Sequence, residues 1–530
     1  MRARRPSRGT GKTINALPDD VLLDIFHYHW STVDTHWSQR WCTLAHVSRR
    51  WNQLILASSH HLGLHLCFSF GAQAEDMMAY SPPFPLVLDY HTRYGQMWKF
   101  SDIDGVLFAL QHLHRAHEIV LSAPASTLSK LTGAMAGPAP ILERLELESQ
   151  TTDFVLPRRI LDINAPRLQV LKLSGVVLPA LYPLLLSPAS SLVNLTLHRI
   201  PSSASFSSPD SLASCIRSMS QLQTLSLSFL SAAPRSAGDR VPSPIQTPCD
   251  SERAELPMLE ELAYRGPPAY LDALLAKFRA TPRMRKIHLT LFNQLTFSIP
   301  HVASFIHAST VYYESPTLAL VDFYESAACL TAIPARPTAL QRLRSSSRPH
   351  SSHSSSSEME ISIRVPCERL DYQLSALAAI CGALARTLCP IAELMIGFYA
   401  RELPPQYSAP PNYHDDDDAI DVALWLALLA PFRGARTLRV DAPLGAEISR
   451  ALVSSVGAKG RASEGEGEEG GGREERPILL PALRAVGPLY QVNLELDASV
   501  SVSEACAMLH QLAERNRRRL AERSVVVEVP

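Results

Sequence analysis

The residues able to do chemistry fall in a few short stretches. Gly9-Thr10-Gly11-Lys12-Thr13 has the glycines, lysine and hydroxyl with which a strand–loop–helix motif cradles a phosphate. That motif needs a glycine five positions before Gly11, where Pro6 stands. No apolar strand precedes it, and Leu17-Pro18 follows before a helix can form, so nothing aims its N–H groups at a phosphate. Asp415, Asp416, Asp417 and Asp418 could ligate a hard cation, but side chains of consecutive residues diverge. Just before an expected helix at 419–429 they serve better as an acidic start that complements the helix dipole. His112, His114 and His117 cluster without a His-Glu-x-x-His or equivalent metal spacing. The cysteines Cys42, Cys67, Cys215, Cys249, Cys329, Cys367, Cys381, Cys389 and Cys506 include no C-x-x-C pair, which argues against a zinc site of common spacing. No Gly-x-Ser-x-Gly elbow is present. No catalytic residue, cofactor site or metal site is therefore expected.

Composition narrows the classes further. A chain of 530 residues can bury a large core, and its 46% hydrophobic content suits a globular protein. A net charge of −1 gives no global field for nucleic acid or an anionic membrane, and no basic stripe interleaves with aromatics. The most apolar stretches, near 176–186 and 422–432, are short and contain proline, so neither can span a bilayer. An odd cysteine count without a signal peptide points to an intracellular, reducing location, cytoplasm and/or nucleus.

The elements that could organise these residues begin at the N-terminus. Residues 1–13 read as a disordered basic tail. Pro18 suits the first turn of a helix, and Asp19 and Asp20 meet the positive end of its dipole. Val21, Leu22, Ile25 and Phe26 recur at helical spacing as one apolar stripe, and Leu44, Val47, Trp51, Leu54 and Ile55 make a second. Two or three short helices with this much apolar face close a minimal core and leave some of it for a partner.

Further on, the form L-x-x-L-x-L recurs. It starts at Leu142, Leu168, Leu192 and Leu222, with looser copies from Leu259 and Met284. Several units are led by Ala-Pro or Leu-Pro, such as Ala165-Pro166 and Leu256-Pro257. The shorter intervals match leucine-rich repeats, and the longer ones require loop insertions. Each L-x-L points alternate residues of a short strand inward, and stacking the units buries them together in a parallel sheet. Helical or irregular returns are expected at 179–186, 211–219 and 270–278, and a helix at 104–117. Residues 331–358 read as a disordered Ser-rich loop, and 458–476 as a disordered Gly/Glu-rich one. Strands are expected at 359–365, 391–399, 435–440, 483–486, 492–496 and 524–529, with helices at 373–387 and 502–522. The fold class expected is α/β: a short helical module at 14–65, then an irregular leucine-rich-repeat-like solenoid with a parallel sheet, over 66–330 and 359–530.

The Leu17-Pro18 start, the Asp20-Val21-Leu22-Leu23-Asp24-Ile25-Phe26 helix and the His46-Val47-Ser48-Arg49-Arg50-Trp51 ending resemble the F-box, in the version common in F-box proteins of mushroom-type (basidiomycete) fungi. Ser48 stands where that family often has cysteine, and His61-Leu62-Gly63-Leu64 replaces a common Leu-Trp close. The resemblance implies docking on a Skp-family adaptor, and through it a cullin, by Leu17, Pro18, Leu22, Ile25, Phe26, Leu44, Val47 and Trp51. Each of these either faces the adaptor or supports the helices that do, and residue type alone does not sort the two roles. The implied function is a non-catalytic substrate-recognition subunit of a cullin–RING (SCF-type) ubiquitin ligase, its repeats presenting a protein target. The alternative is a repeat-based scaffold without ubiquitin transfer. A nucleotide-hydrolysing reading rests on the defective Gly-Lys-Thr stretch alone.

Overall fold

A computed structural model describes residues 14–31, 40–58, 62, 64–68, 78, 84–91, 103–135, 137–151, 154–157, 164–177, 191–200, 208–230, 253–292, 297–313, 315–334, 359–399, 415–441, 444–445, 447–448, 450–452 and 485–488. Two compact units divide the chain, within 1–192 and 193–530. Short N-terminal helices precede a mixed α/β architecture with mostly parallel strands.

The first unit opens with a 3-10 turn, Ile14–Ala16, and three helices: α1 (Asp19–Ser31), α2 (Arg40–Ala45) and α3 (Arg49–Ala57). The strands β1 (Leu66–Phe68), β2 (Leu86–His91), β3 (Ala116–Ala123), β4 (Arg144–Ser149) and β6 (Val170–Ser174) then lie side by side, all parallel. Helices α4 (Ile103–Leu110) and α5 (Ala125–Ala134) pack on one another as crossovers. A small parallel pair, β5 (Phe154–Val155) and β7 (Val176–Val177), flanks them. Register aligns Ile119 with Leu145 and Leu171, and Leu121 with Leu147 and Leu173, and all six side chains are buried.

The second unit continues the pattern. Its main sheet runs β8 (Asn194–Ile200), β9 (Thr224–Phe229), β11 (Glu261–Gly266), β13 (Lys286–Leu291), β16 (Glu360–Pro366), β15 (Ala327–Ile333), β14 (Leu318–Tyr324), β17 (Glu393–Phe398), β18 (Thr437–Val440) and β19 (Ala485–Pro488). A side pair joins β10 (Ala254–Glu255) to β12 (Phe278–Arg279). Leu195, Leu225, Leu262, Ile287 and Ile361 form one buried row, and Leu197, Leu227, Tyr264, Leu289 and Ile363 the next. Helices α6 (Pro209–Arg217), α7 (Pro268–Leu275) and α8 (Pro300–Thr310) stack in order, and α9 (Leu370–Ala383) packs against α11 (Asp415–Leu429), with the short α10 (Ala385–Leu388) beside α8.

The leading prolines have a structural reason. Leu142 N–H donates to Ala139 O, Leu168 to Ala165 O, Leu259 to Leu256 O and Met284 to Thr281 O. Each is the closing bond of a four-residue turn, and Pro140, Pro166, Pro257 and Pro282 occupy its second position, where their fixed φ fits. The turn delivers the first apolar residue of each unit inward. The next unit then joins through a shared acceptor: Glu143 O takes the N–H groups of Gln169 and Val170, and Glu260 O those of Arg285 and Lys286.

Several expectations need correction. The sheet is not wholly parallel, because β15 runs antiparallel to both β14 and β16. The β14–β15 hairpin carries no clear period in the sequence, and the Glu325-Ser326 turn lacks the glycine or asparagine that marks short hairpins. Helix α8 is not among the expected elements, although Pro300 and the i, i+3, i+4 spacing of Val302, Phe305 and Ile306 mark it. Thr331, Ala332 and Ile333 end β15 rather than opening the Ser-rich loop, whose residues 335–358 lie outside the described ones. The helix expected at 104–117 stops at Leu110. Helix α11 starts at Asp415, so the four aspartates form its first turn instead of preceding it. The tail 1–13, the return at 179–186, the loop at 458–476 and the elements expected at 492–496, 502–522 and 524–529 also fall outside the described residues.

Gly175 joins β6 to β7 with φ +65, and a Cβ there would stand 2.7 Å from Ser149 O. Both the left-handed backbone and the close carbonyl oppose a side chain, so Gly175→Ala should cost about 1–3 kcal/mol. Urea unfolding of the full chain, followed by hydrogen exchange of β4 and β6, should show the loss there. Unchanged protection would contradict this account of the turn.

Candidate functional site

The module at the N-terminus is built on two aromatic rings. Phe26 on α1 and Trp51 on α3 meet edge to face with centroids 4.9 Å apart, and both are buried. Leu22, one turn before Phe26, Ala45 on α2 and Ile55 on α3 complete the buried set. Ser48 caps α3: its Oγ accepts the Trp51 N–H at 3.2 Å and so fixes the backbone that carries the ring. Arg50 ties the two helix starts together. Its Nη2 donates to Leu17 O at 2.7 Å, and its Nε donates to Asp19 Oδ1 at 3.0 Å. With Asp19 and Arg50 both well exposed, the ion pair is worth little by itself, and the bond to the Leu17 carbonyl does the positioning.

The predicted residues separate into two groups. Leu22, Phe26 and Trp51 are core, while Leu17 and Leu44 are half-buried at its edge. Pro18, Ile25 and Val47 face out, Ile25 at 40% and Val47 at 58% exposure. The single apolar stripe read on α1 is thus two stripes. Leu22 and Phe26 point in, and Val21, Ile25 and Tyr28 point out, each set at i, i+3 or i+4 spacing. Tyr28, 71% exposed, was missed, although its spacing of three from Ile25 is visible in the sequence. Large apolar groups left out along one helix are the chemistry of a protein-binding face.

The other chemically able residues resolve into structural roles. His112 Nδ1 lies 3.1 Å from Phe108 O at the end of α4, His114 sits in a 3-10 turn, and His117 begins β3, stacked on His65 at 4.7 Å. Among the described residues no group of three His, Cys, Asp or Glu is placed to hold a metal. Asp272 on α7 contacts His301 Nδ1 at 2.8 Å, which looks like a catalytic dyad. The same carboxylate accepts the His301 and Val302 N–H groups at 2.8 and 2.9 Å, so it caps the start of α8. Burial pushes the Cys215 thiol up to about 11 and raises Cys381 as well, the opposite of an activated nucleophile. No helix among the described residues is long and apolar enough to cross a membrane.

Comparison with known families decides what the helical module is. Residues 14–65 match the F-box-like family. The match ends at the residue before β1, where the helical module gives way to the sheet. No curated protein matches the chain. F-box-like domains typically bind Skp-family adaptors, and proteins of the family are generally non-catalytic.

The indole Nε1 of Trp51 is buried with no hydrogen-bond partner among the described residues. Trp51→Ala should therefore destabilise the F-box-like module by about 3–5 kcal/mol through the cavity against Phe26. Trp51→Phe should cost distinctly less, since it keeps a ring there and removes an unpaired donor. Hydrogen exchange of α1 and α3 in the full chain measures both. Equal losses for the two variants would contradict the packing role.

Proposed function

We propose that this protein is the substrate-recognition subunit of an SCF-type cullin–RING ubiquitin ligase. The observation that carries the reading is the outer face of α1, where Val21, Ile25 and Tyr28 stay exposed inside a segment matching the F-box-like family. In this reading Ile25, Val47 and Pro18 contact a Skp-family adaptor, with Val21 and Tyr28 extending the face. Leu22, Phe26 and Trp51 hold the helices from within, and Leu17 and Leu44 bridge the two sets. The adaptor links the chain to a cullin. The α/β region, read as an irregular leucine-rich-repeat-like array, presents an unidentified protein target. The chain itself performs no chemistry, and its place of action is inside the cell, in cytoplasm or nucleus.

Burying a large apolar side chain contributes roughly 1.5–3 kcal/mol, so losing two anchors and inserting charge should lower affinity at least about tenfold. The test is adaptor binding by the full chain carrying Ile25→Glu and Val47→Glu, with thermal unfolding as the control. The expected result is weakened binding by a protein that melts as wild type does. Unchanged affinity would reject the adaptor reading, and a scaffold acting without ubiquitin transfer would then lead.

A further inference from the structure

The second unit's sheet packs helices on one face, and Asp322 belongs to the opposite face. Phe323 on β14 packs edge to face on Trp425 of α11 at 5.8 Å, so alternation turns Asp322 and Tyr324 the other way. In the ladder Asp322 lies between Cys329 on β15 and Gly397 on β17. Tyr324 stacks on Tyr399, just beyond β17, with centroids 5.1 Å apart and planes 15° from parallel. Both rings remain exposed, at 38% and 46%. A Cβ at position 397 would stand 2.5 Å from Asp322 Oδ1 and 2.9 Å from the Tyr399 ring. Glycine there leaves the space that the carboxylate and the ring occupy together.

Asp322 is half-buried and makes no hydrogen bond or ion pair with any described residue. Its neighbours along the strands, Leu320 and Met395, are apolar and buried. The Cys329 thiol beside it is engaged with the Thr331 and Ser362 hydroxyls at 3.7 and 3.8 Å. Farther along the same face Glu393 is neutralised by Arg439 at 2.9 Å. Arg364 on β16, opposite Cys329, forms no ion pair with Asp322. A carboxylate set among buried apolar side chains, beside two stacked and partly exposed tyrosines, lacks a counter-charge and offers one.

We propose that this face binds a basic side chain, arginine above all, on an extended segment of a partner polypeptide, with the guanidinium paired to Asp322 and lying against the Tyr324–Tyr399 pair. A guanidinium suits the place better than an ammonium, because it is less strongly hydrated, stacks on aromatic rings and bonds a carboxylate through two N–H groups. The inference deepens the target-presenting half of the proposed function, and its test needs no adaptor.

The carboxylate's own energetics support a binding role. Desolvation raises Asp322 to about 6. A carboxyl whose folded value lies above its unfolded one binds more protons when folded, so stability falls as pH rises toward 6 and stays lower above it. At neutral pH Asp322 therefore works against the fold, and Asp322→Asn should be at least as stable as wild type. A cation bound there favours the ionised form, so its affinity should fall as pH drops through about 6. The groups facing Asp322 from the packed strands are Cys329, Arg364, Tyr324 and Tyr399. Cys329 is itself pushed up by burial, which leaves the carboxylate to set the titration.

The experiment is fluorescence anisotropy of the full chain with two labelled peptides, extended Ser/Thr sequences that differ in one central residue, arginine or its neutral isostere citrulline. Wild type at pH 7.5 should prefer the arginine peptide at least tenfold and lose that preference at pH 5. Asp322→Asn should abolish the preference while melting no lower than wild type, and Tyr324→Ala should weaken arginine binding. Arg364→Ala should bind as tightly or more tightly. Equal binding of the two peptides, no binding of either up to millimolar concentration, or a preference that survives Asp322→Asn would each overturn the assignment.

Discussion

A short parallel strand can bury every second side chain only if something sets which residue turns inward first. In this chain a four-residue turn with proline at its second position does so. The bond from Leu168 N–H to Ala165 O, and its counterparts at Leu142, Leu259 and Met284, fix the inward residue before the strand begins. A slip by one residue would bring every leucine of the strand to the open face. The inward positions of Leu145, Leu171, Leu262 and Ile287 follow from that turn, while Leu225 follows a turn of the same bond, Leu222 N–H to Met219 O, with Ser220 in place of the proline.

The same logic of periodicity governs the helical module. A helix advancing about 100° per residue can carry two apolar stripes, and α1 uses one for its core and the other for its surface. Phe26 against Trp51 sets which is which, with Arg50 and Ser48 holding the helix starts in place. Specificity for a partner then needs no catalytic group: apolar residues kept outside by a small, tightly fixed core suffice.

Much of this was legible in the sequence, because strong local signals and tertiary packing agree. The Leu-Pro and Ala-Pro leaders, the L-x-x-L-x-L strands and the Asp19-Asp20 helix start all describe local geometry. What stayed hidden depends on residues far apart in the chain. The inward and outward stripes of α1 could not be told apart without the position of Trp51. The β14–β15 hairpin was hidden by a near-continuous apolar run and a turn with no marker residue. Nothing in the local sequence marks Asp322, because the space its carboxylate occupies is left by Gly397, its partner in a strand far along the chain.

The central claim is that the outer stripe of α1, with Val47, is a protein-binding face organised by the Phe26–Trp51 core. Hydrogen exchange of the full chain with and without a purified Skp-family adaptor tests it most directly. The account predicts slowed exchange in peptides covering residues 18–28 and 43–47, with the leucine-rich strands unchanged. Protection confined to the sheet, or none in the helical module, would contradict it.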